Sequence, residues 1–228
     1  MIPSLQTEER DALVFHGFFS AFTVLILLIP YMGTGIKLFI LVLSYNIALP
    51  FTAKIRGYDG WINIWLFALI LSMFQIFPDW FLSRQLGILV FPEDGFVKIG
   101  TVSGYMAGLW AIPTFIIVYA SDRVSRRVST LSGYSAAAFL ALVIFGVSEE
   151  TVWMLPSWYA QNVTMVSHTA VYILIPEIIL GISCLYAFDT VRNKKHWIKI
   201  PATFLVMLLY LGSAAFFYFI LERLLMQN

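Results

Sequence analysis

Apolar residues fall along this chain in long blocks broken by short polar segments. Within a block they follow neither the helical period of about 3.6 residues nor the alternation of a half-buried strand. Blocks of about 18 or more apolar residues read as membrane spans, because about 20 residues of α-helix cross a hydrocarbon core about 30 Å thick. The pattern predicts an all-α protein, a polytopic membrane helix bundle forming one transmembrane domain over residues 1–228. Seven spans are expected, at about 14–33, 35–53, 61–82, 101–121, 131–152, 167–189 and 198–221.

The breaks have their own chemistry. "GTG" at 33–35 suits a tight turn, "KIRGYDG" at 54–60 is charged and glycine-rich, and "ASDRVSRRVS" at 120–129 and "VRNKKHW" at 191–197 are basic. The connection at 83–100 is longer, holds the turn signature "FPEDG", and has room for an interfacial or re-entrant piece. Gly100, Gly104 and Gly108 are four apart at the start of the fourth expected span. Such a strip lets helix backbones approach closely, within the bundle or in a homodimer.

Composition agrees with the pattern: 60% of residues are hydrophobic and 12% charged, where a soluble domain carries about a quarter charged. The net charge of +1 implies no nucleic-acid partner. Cys184 is the only cysteine, so no internal disulfide and no cysteine metal site is expected. The polar, mildly acidic start "MIPSLQTEERDAL" does not resemble a cleaved signal peptide, and the first apolar block is read as a retained span.

Lysine and arginine collect on the cytoplasmic side of membrane proteins. Ten of them (Arg10, Lys54, Arg56, Arg123, Arg126, Arg127, Arg192, Lys194, Lys195 and Lys199) lie at the N-terminus, in the loops after expected spans two, four and six, or at the start of span seven. Four (Lys37, Arg84, Lys98 and Arg223) fall on the other side. This places the N-terminus in the cytoplasm and the C-terminus outside, in a plasma membrane or a bacterial inner membrane. The segment "GVSEETVWMLPSWYAQNVTMVSH" at 146–168 then faces outward, including the sequon at Asn162.

An acid inside a membrane span is a candidate functional group, because burying its charge costs several kcal/mol. Glu177, in "YILIPEIILGIS", is expected about ten residues into its span. Pro176 beside it would leave a carbonyl one turn earlier without its helical partner. Asp79 follows Pro78 at the outer end of span three, where it could cap the helix or pair with Arg84. Glu149 and Glu150 close span five, and His168 opens span six. These five, Glu177, Glu149, Glu150, Asp79 and His168, are the catalytic candidates. Trp80, Trp153, Trp158, Tyr172 and Asn46 are the candidates for contact with a substrate. Tyr45, Asn46, Asn63 and Gln75 are expected to bond across helices, and Asp189 to pair with Arg192 at a helix end.

No metal-ligand spacing, diphosphate–Mg²⁺ motif, P-loop, GxSxG elbow or dinucleotide fingerprint occurs. Neither a metal nor a cofactor is expected. A retinal protein would need a lysine at mid-depth in its last span, and Lys199 lies at the inner edge. What remains is acid chemistry in an aromatic chamber: desolvation keeps a carboxyl protonated, such an acid can protonate an alkene or epoxide, and aromatic faces stabilise the cation formed. In overall layout the chain resembles the small seven-helix integral-membrane terpene and carotenoid cyclases, although none of their motifs is matched. The resemblance implies an enzyme on a hydrophobic lipid or isoprenoid substrate among membrane lipids, with Glu177 or Glu149 as proton donor, Asp79 or Glu150 as its partner, and His168 as relay. The same acids would also serve a small proton-coupled carrier, but no repeat relates the two halves of the chain.

Overall fold

A computed structural model describes residues 6–225. It is mostly helical. The helices are α1 (Thr7–Leu28), α2 (Thr34–Arg56), α3 (Asp59–Phe74), α4 (Ile76–Trp80), α5 (Met106–Leu109), α6 (Ala111–Arg127), α7 (Thr130–Val152), α8 (Leu174–Val191) and α9 (Lys199–Tyr218). Local chemistry sets several ends. The Gln6 backbone N–H donates to Glu9 in a capping box at the start of α1 (3.0 Å), Gly57 takes the left-handed conformation that closes α2, and the Ser129 hydroxyl accepts from the Ser132 N–H at the start of α7 (3.1 Å). Among the described residues, six segments are long and apolar enough to cross a membrane: Thr7–Leu28, Thr34–Arg56, Asp59–Gln85, Thr130–Val152, Val171–Val191 and His196–Leu224.

The fourth expected span differs. Residues 98–110 are a strand pair and a single helical turn, and α6 proper is 17 residues long with a strongly charged C-terminal half. The connection at 83–100 holds no re-entrant helix; after a widened π turn at Phe81–Gln85 it runs through short strands. The glycines there do not form a helix strip. Gly100 has φ +65° beside the Trp80 ring, a β-carbon at Gly104 would lie 2.8 Å from the Val97 carbonyl oxygen, and one at Gly108 would lie 2.6 Å from Val42 Cγ1. All three places meet atoms of the chain itself, and the glycines do not share one helix face.

Helices α6, α7, α8 and α9 pack in sequence, α3 lies against α6 and α9, and α2 lies against α3. The core between them holds Trp61, Phe67, Phe115, Ala137, Leu180 and Ala214. Gly181 brings α8 directly onto α7, where an added β-carbon would meet Ala141 Cβ at 2.5 Å and the Ala137 carbonyl oxygen at 2.7 Å. Helix α1 is different, for it buries only Glu9 and Ala12.

Charge gathers at one end of the bundle. Glu8 pairs with Arg123, Glu9 with Arg127 (2.5 Å) and Asp11 with Arg56 (3.4 Å), while Tyr58 donates to Asp11 (2.8 Å). Arg192 reaches Asp122 (2.6 Å) and Asp189, and its carbonyl accepts from Asn63 (2.7 Å). The beginning of α1, the α2–α3 turn and the ends of α6 and α8 are thereby tied together.

The opposite end is closed by loops. Strand β1 (Leu89–Val90) pairs antiparallel with β4 (Tyr159–Ala160), joining the loop after α4 to the loop after α7. Strands β2 (Lys98–Ile99) and β3 (Val102–Ser103) form one hairpin, and β5 (Met165–Val166) and β6 (Thr169–Ala170) another. Gln161 adds bonds to the Gly87 and Ile88 carbonyls (3.0 and 2.9 Å), and Glu222, just beyond α9, accepts from the Thr164 N–H and hydroxyl (2.8 and 3.0 Å). These contacts make a cap over the bundle. Replacing Gly181 by valine should force α8 off α7 and lower stability by roughly 1–3 kcal/mol, read as a lower melting temperature in detergent; an unchanged melt would contradict this packing.

Candidate functional site

Beneath the cap lies a cavity of about 340 Å³ between the cap-side halves of the helices. Its wall is mostly Leu, Ile, Phe and Met, including Phe19 and Leu27 of α1 and Leu38 and Leu41 of α2. Three carboxyl side chains line it: Asp79, Glu149 and Glu177. Tyr172, Tyr210, Trp110 and Trp158 line it with them. No Lys, Arg or His is among the lining residues.

Each acid is delivered by a different local device. Asp79 stands on α4, a short helix separated from α3 at Gln75 and followed by the π turn. Pro78 is accommodated in the first turns of α4, where a missing N–H costs little. Asp79 is 3% exposed and accepts from the indole N–H of Trp110 (3.2 Å). It is neither an interfacial cap nor a partner of Arg84: among the described residues no ion pair joins those two. Trp110 is fixed by a tilted contact with Phe145 (5.2 Å) and an edge contact with Tyr210 (5.8 Å).

Glu149 stands in the last turn of α7 and accepts from the Trp158 indole N–H (3.3 Å). Glu177 is 2% exposed, and its Oε2 atom has no hydrogen-bond partner among the described residues. Its position corrects an expectation. Helix α8 begins only at Leu174, because residues 165–170 form the β5–β6 hairpin, so Glu177 sits in the first turn rather than ten residues in. In a first turn Pro176 removes no helical hydrogen bond, and no opened carbonyl results.

The other candidates go elsewhere. Glu150, on the far side of the same helix turn, organises the hairpin: it accepts from the Ser167 hydroxyl (2.5 Å), the His168 backbone N–H (3.0 Å) and the Thr169 hydroxyl (3.2 Å). His168 occupies the hairpin turn and stacks on Trp153, with ring centroids 4.3 Å apart. Together with Glu149, Trp158, Tyr159 and Met165 they border a second, outer cavity of about 280 Å³. Trp80 packs over Gly100, and Asn46 ties α2 to the Gly108 carbonyl and the Trp65 indole (3.2 and 3.1 Å). Neither lines the main cavity. Tyr45 and Asn63 also bond across helices, Tyr45 to His16 (3.1 Å), whereas Gln75 is enclosed with neither amide atom partnered among the described residues.

Trp110 and Tyr210 went unread in the sequence, yet both carried a signal. Pro113 marks the beginning of a helix and puts Trp110 at its N-cap, and Tyr210 is a lone hydroxyl within "LVMLLYLG". Among the described residues, no three His, Cys, Asp or Glu side chains gather as a metal-holding group. The three acids are therefore spread around the cavity rather than focused on a point.

A family profile, domain of unknown function (DUF6989), matches residues 76–221 of the 228. The chain belongs to the DUF6989 family. Neither the curated proteins nor the solved structures contain a match to it. The DUF6989 portion begins at α4 and so contains all three cavity acids together with Trp110, Trp158, Tyr172 and Tyr210; α1 and α2 precede it.

An enclosed carboxyl oxygen without a partner costs about 1–3 kcal/mol. Glu177→Met, similar in volume and apolar, should therefore raise the denaturation midpoint, by roughly 1 kcal/mol in stability. A marked fall in stability would mean that Glu177 has a partner that holds the bundle together.

Proposed function

We propose that this protein is an integral-membrane enzyme that acts on a hydrophobic lipid or isoprenoid by carboxylic-acid-initiated isomerisation or cyclisation. One observation carries the reading: Asp79, Glu149 and Glu177 line a single apolar, aromatic cavity that no cationic side chain enters. Its volume lies within the range of about 300–1,000 Å³ in which small-molecule sites fall.

Glu177 is the proton donor. An ionised carboxylate would be costly in such surroundings, so the resting group carries its proton. Its proton adds to an alkene or epoxide carbon or oxygen, leaving a carbocation on the substrate and a carboxylate on Glu177. The first turn of α8 favours that negative charge through the helix dipole. The faces of Trp110, Trp158, Tyr172 and Tyr210 accommodate the cation, and the Asp79 carboxylate takes up the proton lost as the double bond re-forms. One turnover moves a proton from Glu177 to Asp79; the site resets when Glu177 gains a proton and Asp79 releases one, and no redox partner is required.

The same reading carries the fold further. Ala111–Arg127, extended by the turn at Met106–Leu109, is a seventh, shorter crossing; the N-terminus is cytoplasmic and the C-terminus outside, in a plasma membrane or bacterial inner membrane. Support comes from the ion-paired end, which unites the basic loops, and from the cap, whose loop at 153–168 has no Lys or Arg. The buried Cys184 provides a quiet background for labelling. In intact cells, an impermeant thiol reagent should modify Asn162→Cys and spare Lys194→Cys; the reverse pattern would invert the orientation.

Protein purified in mild detergent should carry an isoprenoid or related lipid, seen by mass spectrometry, and convert it. Glu177→Gln and Asp79→Asn should retain the lipid but lose conversion by about 10²-fold or more. Proton or solute flux in liposomes that needs Glu177, without any conversion, would replace the enzyme with a carrier.

A further inference from the structure

Glu149 and Glu150 are neighbours in sequence with opposite commitments. Glu150 is saturated by the hairpin it organises. Glu149 holds one bond only, from Trp158 at 3.3 Å, long beside the common N–H···O distance of about 2.9–3.0 Å. Glu149, Trp158 and Ala160 line both cavities, so the Glu149–Trp158 pair stands between the outer cavity and the main one. The outer cavity reaches water through His168, whose side chain is 46% exposed.

We infer that Glu149 is the port through which protons pass between outer water and the enclosed carboxyls, and that Trp158 is its latch. A proton from hydronium in the outer cavity binds a Glu149 carboxylate oxygen and leaves water behind. The bond to Trp158 then breaks, the side chain turns inward, and the proton passes to ionised Glu177 directly or through water, for which the inner cavity has room. Glu149 returns to its carboxylate form. The groups facing this path are His168, Tyr159 and Ser167 on the outer side, with Glu150 behind them bonded to Ser167 and His168. On the inner side they are Asp79 from α4, Ser148 from α7, Tyr172 and Glu177 around the start of α8, and Tyr210 from α9. His168, the one imidazole among them, lies on the side from which protons arrive. Glu149 is thus a positioning residue that reloads the donor rather than one that touches substrate.

The inference rests on the proposed proton chemistry of Glu177, but it is tested on the carboxyl itself. Infrared spectra of the full chain in lipid should contain a protonated-carboxyl C=O band that Glu177→Gln removes. After transfer to D₂O, this band should shift quickly in the unaltered protein. Glu149→Gln should slow the shift by about tenfold or more, equivalent to about 1.4 kcal/mol of added barrier. Glu149→Asp should restore it, and Trp158→Phe, which keeps Glu149 and removes the latch, should hasten it. The port is overturned if no Glu177-dependent band exists or if Glu149→Gln leaves its exchange rate within about twofold. Absence of lipid conversion alongside Glu149-dependent exchange would sink the enzyme and leave the port standing.

Discussion

The arrangement of this protein follows from one constraint: a carboxyl group enclosed by apolar helices must find a partner, carry a proton, or cost several kcal/mol. At the ion-paired end the first solution is used. Glu8, Glu9, Asp11, Asp122 and Asp189 all meet arginines there. Around the main cavity it is not. Asp79 and Glu149 are offered single indole N–H groups, and Glu177 has an oxygen with no donor among the described residues. A bundle that needed only to be stable would replace three such acids with leucine. Their presence in one chamber is the physical ground for assigning chemistry to it.

The rest of the architecture frames that chamber. Tight contacts such as Gly181 against Ala137 and Ala141 fix α7 and α8 so that Glu149 and Glu177 face a common space. Asp79 on α4 and its indole donor Trp110 at the N-cap of α6 line the same cavity. The β1–β4 pairing and the Glu222–Thr164 contact hold the cap down. Helix α1, clamped by ion pairs at one end and otherwise barely buried, contributes Phe19, Thr23 and Leu27 to the wall. The family match begins beyond it, which assigns the acids and their indole partners to the shared portion and α1 to the surrounding frame.

Much of this was legible in the sequence, for reasons that differ by residue. Long apolar blocks fix helices whatever their partners, so the helical class and six long segments could be read directly. Asp79, Glu149, Glu177, Trp158 and Tyr172 stood out because polar or amphipathic groups in such blocks are costly. What failed was register at the outer ends. Residues 98–105 and 165–170 are apolar enough to extend a helix, yet they form hairpins, because Gly100 and Ser167 adopt positive φ and the strands find partners in nearby loops. That moved Glu177 to a first turn, dispersed the glycine strip, and put His168 and Trp153 outside the chamber with Glu150. No local pattern distinguishes Glu149 from Glu150. Only the direction of the last turn of α7 sends one inward and the other to the hairpin.

The central claim is that Asp79, Glu149 and Glu177 surround a chamber built to hold an apolar molecule. A cryo-electron microscopy map of the full chain in lipid nanodiscs tests it most directly. It should contain elongated density between Trp110, Tyr210 and Glu177, with the three carboxyls turned toward it and no basic side chain among them. A chamber collapsed onto its own leucines and phenylalanines, or acids paired with Lys or Arg, would contradict it.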